Sequence, residues 1–301
     1  MTNKSYKEII NELVSDIPKH IVDLRAIRKR GAAPTQAFSD FLTHSEQGDW
    51  AEGLFFRALK DIESKYFAVR YGKADKITAG DPNFKKFYEG YQDELDTIGK
   101  RPDILLFRNG DLKWNYGDDI SKLDNKQLDL IVPFSVAGLE IRSSAYLTKK
   151  FVPKDDRPFL SFTPKVEDLL VVHKWIKTYG VPHYYVQVFF DGIYIIAFAE
   201  ILSLLKNATI IEKGIKNKKI IGQIKGRPAF VIEKNPKNQY KETIHIYLDR
   251  GHLICNKIEA PNIIGNKKEL AGGRLLHYVT FEGGKATADF DVFLGLIEKP
   301  L

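Results

Sequence analysis

The chain has 301 residues, 44% of them hydrophobic and 28% charged, which is the composition of a globular protein and excludes a disordered one. No apolar run approaches the roughly 18 residues of a membrane span, the first ten residues lack the apolar stretch of a signal peptide, and the one cysteine, Cys255, excludes a disulfide framework or a cysteine-rich zinc site; the setting expected is reducing and cytoplasmic. The 46 basic residues against 39 acidic ones leave a net charge of +7, which suits a polyanionic partner, because lysine and arginine displace counterions from a phosphate backbone.

Residues 6–16 read as a short amphipathic helix, followed by the basic cluster "RAIRKRG" at 25–31 and a loop or arm. A stronger helix is expected from near Asp49, "DWAEGLFFRALKDIESKYF", where Trp50, Leu54, Phe55, Ala58, Leu59 and Ile62 fill one arc at helical spacing. Glu52 falls at the edge of that arc, where an acid can face a cleft. "RPDILLF" at 101–107 reads as a short strand opened by Pro102. Turn-rich sequence follows, and "LIVPFSVAGLEIRSS" returns to strand character. Residues 163–180 form a well-punctuated helix, with Thr163 as its cap, Pro164 in the first turn and Gly180 at its end. "HYYVQVFF" and "IYIIAFAE" read as two strands joined by the hairpin signal Asp191-Gly192.

These elements predict an α/β fold, with a mixed central sheet flanked by helices and a β-rich C-terminal region. The expected organisation is an N-terminal helix and basic arm over 1–45, a core over 46–205 and a β-rich part over 206–301. Residues 206–241 carry ten lysines and arginines against two acids, Glu212 and Glu233.

Strand side chains alternate faces, so Glu140 and Arg142 point the same way and Ile141 the other. If the strand carrying Asp103 is a neighbour, Asp103 and Glu140 can hold one hard cation between them. Magnesium favours such a place, with one or two carboxylates, water and substrate phosphate oxygens. A cation on the same strand would then stabilise charge building up at phosphorus. Other candidates are poorer: the seven histidines show no H-E-x-x-H spacing, and "AGGR" and "EGG" lack the strand–loop–helix context of a phosphate loop.

The stretches "QGDWAEGLFFRAL", "LDTIGKRPDILLF", "GLEIRSSAYL" and "KVEDLLVVHKWIKTYGVPHYYVQVFFD" together resemble type II restriction endonucleases of the AccI-like kind, within the PD-(D/E)XK nuclease superfamily. The likeness covers most of residues 45–200. It implies a magnesium-dependent, sequence-specific endonuclease that cuts double-stranded DNA at a short palindrome, leaving 5′-phosphate and 3′-hydroxyl ends. It further implies a homodimer, with a companion methyltransferase in the host. Asp103 matches the aspartate of the PD motif and Glu140 its second acid, and the expected metal set is Asp103, Glu140 and Ile141. Glu52 matches a glutamate that such enzymes often carry on the preceding helix. Arg142 stands where the motif has lysine, so Lys149 and Lys150 are alternative holders of that role. Arg25, Arg28, Lys29 and Arg30, with Lys216, Lys218, Lys219, Lys225 and Arg227, are the expected DNA contacts. The alternatives are a non-catalytic DNA-binding protein on a nuclease-like scaffold and a structure-selective repair nuclease.

Overall fold

A computed structural model describes residues 4–72, 77–154, 158–213, 219–235, 237–270 and 272–300. The chain opens with α1 (Tyr6–Asp16) and α2 (Ser39–Ala58), then β1 (Tyr66–Arg70), α3 (Phe84–Thr97) and β2 (Ile104–Arg108). Next come α4 (Asn125–Ile131), β3 (Ser135–Ser143), the short β4 (Ser161–Phe162), α5 (Val166–Tyr179), β5 (His183–Val188), β6 (Ile193–Ala197) and α6 (Phe198–Asn207). The C-terminal part adds β7 (Thr209–Lys213), β8 (Lys219–Ile224), β9 (Arg227–Glu233), β10 (Thr243–Tyr247), β11 (His252–Cys255), β12 (Asn262–Glu269), β13 (Leu275–Glu282) and α7 (Phe290–Glu298).

Six strands form the central sheet in the order β1-β2-β3-β5-β6-β11. Only β3 and β5 run parallel, and α5 is the crossover between them; the other neighbours are antiparallel. The expected α/β class with a mixed sheet is therefore observed. One sheet face packs against α1, α5, α6 and the five-stranded sheet β4-β10-β9-β8-β7 through residues such as Leu105, Tyr185, Trp175 and Phe230. The other packs against α2 and α7 through Phe55, Leu106, Leu139, Val186 and Phe293. Alternation along β3 thus sends Leu139 and Ile141 toward α2 and Glu140 and Arg142 toward α5. The two-stranded ribbon β12–β13 stands apart from both sheets. β11 shows that the C-terminal region is also woven into the core, since it pairs with β6 at the sheet edge. No helix among the described residues is long and apolar enough to cross a membrane.

Several boundaries differ from the sequence reading. The six apolar residues expected on one face of the second helix are all buried, but α2 begins ten residues earlier, at Ser39 in place of Asp49. There it leans on β13, so tertiary contact supports a first half with little periodicity. Residues 125–131 are helical, running from the expected turn into Leu130 and Ile131 at the start of the expected strand, because Asp124 and Gln127 form a reciprocal capping box. Thr163 does not cap α5: residues 164 and 165 lie extended along β10, with Ile244 N–H donating to the Pro164 carbonyl at 2.9 Å. The cap is instead Asp168, whose carboxylate accepts from Lys165 N–H at 3.0 Å. "IYIIAFAE" leaves the sheet at Phe198, where the Glu200 carboxylate accepts from Ala197 N–H at 2.9 Å and starts α6. Gly180 closes α5 in the left-handed conformation, as expected.

Candidate active site

The segment Gly99–Asp103 leads into β2, and its residues lock into place in turn. Gly99 has φ +89°, and a Cβ there would stand 2.3 Å from the Val171 carbonyl oxygen and 2.4 Å from Trp175 N. Only glycine lets this backbone lie against α5, and Lys100 N–H then donates to the Val171 carbonyl at 3.0 Å. Arg101 turns the other way, buried, and pairs with Glu94 of α3 at 2.8 Å. Pro102 packs over β3 where Gly138 leaves room, since a Cβ there would be 2.7 Å from Pro102 Cγ. The next residue is Asp103.

The β2–β3 register pairs Ile104 with Leu139, and one further step sets Asp103 opposite Glu140. Ile141 N–H donates to Asp103 Oδ2 at 2.6 Å, which aims the carboxylate across the end of the ladder. Glu140 is 1% exposed, and its Oε2 has no hydrogen-bond partner. Its Oε1 meets two cations: the Lys100 amine, and Arg142 Nη2 at 3.2 Å. The same Arg142 nitrogen lies 3.1 Å from Asp168 Oδ2. Neither Arg142 contact is aligned as a hydrogen bond, which leaves its Nε and Nη2 with donors to spare. The result is a line of alternating charge, Lys100, Glu140, Arg142, Asp168, with Asp103 and Glu52 beside it.

The electrostatics follow from burial and crowding. Burial, then the charges of Glu140 and Glu52, push the Asp103 carboxyl well above the usual carboxylate range. Burial, Asp49 and Glu140 raise Glu52 to about 7. Burial works against the charge of Lys100, but Glu140, Asp168 and Asp103 together hold it above the ordinary lysine value. Burial likewise opposes ionised Asp168, and Arg142 and Lys100 more than offset it, so its carboxyl stays below the usual range. Asp103 and Glu52, both raised by burial and by the Glu140 charge beside them, make a buried place short of positive charge, the condition that a divalent cation relieves.

The structure thus brings together Asp103, Glu140, Arg142 and Glu52. Ile141 buries its side chain on the opposite face, so it could meet a metal only through its main chain. Lys149 and Lys150 are exposed on a single 3₁₀ turn, and the Lys149 amine donates to the Asn256 carbonyl at 3.2 Å, not to any of these acids. Two partners escape the sequence reading. Lys100 lies three residues before Asp103, outside the acid-x-base pattern, and Asp168 looks like an ordinary first-turn helix acid; the "GK" turn before "RPD" is the one available signal.

The expected DNA contacts divide similarly. Arg28 is largely buried and bonds Glu167 at 2.7 Å and Asp96 at 3.0 Å. Arg30 pairs with Asp93 and Asp96, and Arg25 donates to the carbonyls of Ser15 and Ile17. These guanidinium groups tie the arm to α1, α3 and α5, and Lys29 is left exposed. Lys216 and Lys218 lie outside the described residues. Lys219 is 3.7 Å from Glu233, whereas Lys225 and Arg227 are exposed at the β8–β9 turn.

Searches of curated proteins and of solved structures found no match. The model of the AccI restriction endonuclease family, however, matches residues 4–154 and 150–299, nearly the whole chain. It spans the helix, strands and crossover that assemble the acidic pair and its cations. The chain therefore belongs to the AccI restriction endonuclease family and is, by that membership, a type II site-specific deoxyribonuclease.

Proposed function

We propose that the enzyme hydrolyses phosphodiester bonds of double-stranded DNA with magnesium, at a short palindromic site, leaving 5′-phosphate and 3′-hydroxyl ends. The observation that carries this reading is the placement of Asp103 opposite Glu140 at the end of the β2–β3 ladder, with two cations on the same acid. Among the described residues no three histidine, cysteine, aspartate or glutamate side chains converge as a metal cage. Magnesium needs no such cage, since one or two carboxylates with water and phosphate oxygens suffice. The unpartnered Glu140 Oε2 and the crowded Asp103 carboxyl fit that donor set. Bound magnesium supplies Lewis acidity, polarising the phosphate and acidifying water.

The chain's own side chains do the rest. Asp103 and Glu140 hold the cation, and Ile141 N–H keeps Asp103 aimed. Arg142, with donors to spare, contacts a phosphate oxygen and offsets charge at the five-coordinate phosphorus. Glu52 orders the surrounding water or a second ion. The exposed Lys29, Lys225 and Arg227, with the rest of the 206–241 cluster, grip the backbone; such contacts position a protein and do not read sequence. The 206–301 region adds DNA contacts and the surface between two copies. A homodimer is the simplest agent for cutting both strands of a palindrome.

The test is digestion of unmethylated phage DNA with magnesium or with chelator. Discrete fragments in magnesium only are expected, and Asp103→Asn and Glu140→Gln should abolish them while binding survives. Shifted but intact DNA would favour a binding protein without catalysis, and residual cutting above a few per cent in either variant would remove the metal assignment.

A further inference from the structure

We propose that Lys100, outside the acid-x-base strand pattern, is a catalytic residue: its amine contacts the scissile phosphate and takes the lysine role that position 142 does not fill. The proposal rests on the magnesium-dependent reading above. Lys100 and Asp103 arrive on the same short segment, three residues apart, so any group held by Asp103 is within the neighbourhood of the Lys100 side chain. The amine already sits on Glu140 Oε1, the acid opposite Asp103. It therefore lies where the second acid and the substrate phosphate would meet.

The backbone that carries it is unusually constrained for a loop. Gly99 lies against α5 where no Cβ fits, Lys100 N–H is tied to Val171, Arg101 is clamped on Glu94 and Pro102 is wedged over Gly138. A rigid base with a flexible four-carbon stem is suited to delivering a compact point charge to a phosphate. With a phosphate present, a short swing of the stem exchanges one anionic partner, Glu140, for another.

Arg142 differs in two ways. Its Nη2 lies between Glu140 and Asp168, at 3.2 and 3.1 Å, so part of its charge is committed within the protein. Asp168 is itself fixed as the cap of α5, which limits how far the guanidinium can travel. Arg142 can lend a donor to substrate, but it is a planar, tethered group and not a mobile amine. Lys149 and Lys150 are exposed on their 3₁₀ turn, and the Lys149 amine is spent on Asn256.

The experiment uses the full-length protein and a duplex containing the site that its own digestion of phage DNA defines. Single-turnover rates in magnesium are measured for Lys100→Met, Lys100→Gln and Arg142→Lys. Lys100→Gln can still donate to Glu140, so it separates loss of charge from loss of fold, and urea midpoints check folding of each variant. Both Lys100 variants should lose about a hundredfold or more in rate, the scale of a transition-state donor, and Arg142→Lys, which keeps a charge at 142, should lose less than either. A second readout needs no metal: binding in chelator to a duplex whose scissile phosphate is replaced by a neutral methylphosphonate. The parental protein should bind this duplex several-fold more weakly than ordinary DNA, and in Lys100→Gln that penalty should be clearly smaller. Cleavage by Lys100→Gln within threefold of the parent, or an equal methylphosphonate penalty in both proteins, would overturn the proposal. Absence of any magnesium-dependent cutting by the parent would overturn the underlying reading, and the proposal with it.

Discussion

Gly99→Ala places a methyl group where the structure has none to spare. The Cβ would meet two backbone atoms of α5, the Val171 carbonyl oxygen at 2.3 Å and Trp175 N at 2.4 Å, with Trp175 Cα at 3.0 Å. Backbone atoms inside a helix cannot rotate away, so the lead-in to β2 must shift. At φ +89°, a residue with a Cβ also loses about 1–2 kcal/mol in conformational preference. Overpacking adds about 1–3 kcal/mol. Separating the segment from α5 also breaks the Lys100–Val171 hydrogen bond, worth about 1 kcal/mol. Together the loss should be about 3–6 kcal/mol, a large share of the roughly 5–15 kcal/mol that holds a domain folded. Urea denaturation followed by tryptophan fluorescence measures it, with Trp175 lying at the point of strain. Gly90→Ala is the control: it sits in α3 with no neighbour within 4 Å, and should gain about 0.5–1 kcal/mol. A loss at Gly99 under about 0.5 kcal/mol, the range of an ordinary surface change, would refute the argument that this glycine seats the site.

Two further outcomes are expected. His183 is fully buried with neither ring nitrogen partnered, and burial, Lys100 and Arg142 lower it to about 3; His173, half-buried near Lys177, is lowered to about 4 by desolvation and that charge. Both are neutral in the folded chain, so stability is full above the unfolded value of about 6.5 and falls by about 1.4 kcal/mol per pH unit for each histidine below it, as the unfolded chain takes up protons. His183→Phe should remove one histidine's share of that slope between pH 6.5 and 4, and an unchanged slope in urea titrations would contradict the assignment. On DNA, replacing Lys225 and Arg227 with alanine should reduce the slope of log affinity against log salt by about one for each phosphate that is no longer neutralised. An unaltered slope would make the β8–β9 turn a solvated loop.

Local chemistry makes several parts legible in the sequence. The alternation of "GLEIRS" places Glu140 and Arg142 on one face, Asp191-Gly192 marks the β5–β6 turn, Gly180 marks the end of α5, and the apolar arc around Trp50 marks α2. Each of these depends on a residue and its neighbours within a turn or two, where periodicity and backbone preference decide. Capping is less visible: Glu200 and Gln127 start helices through bonds three residues back, and both signals sit beside runs of strand character.

What only the tertiary structure decided are the pairings between distant segments. Arg28 and Arg30 have the sequence of a DNA-gripping cluster, yet α3 and α5 carry the carboxylates that neutralise them. β11 falls within what reads as a separate region, yet it completes the central sheet beside β6. Lys100 reaches Glu140 across 40 residues of chain, and Asp168 closes on Arg142 from the crossover helix. No period or propensity encodes such meetings. An ion pair depends on where two side chains end in space, and that is set by the packing of β2 against β3 and of α5 over both.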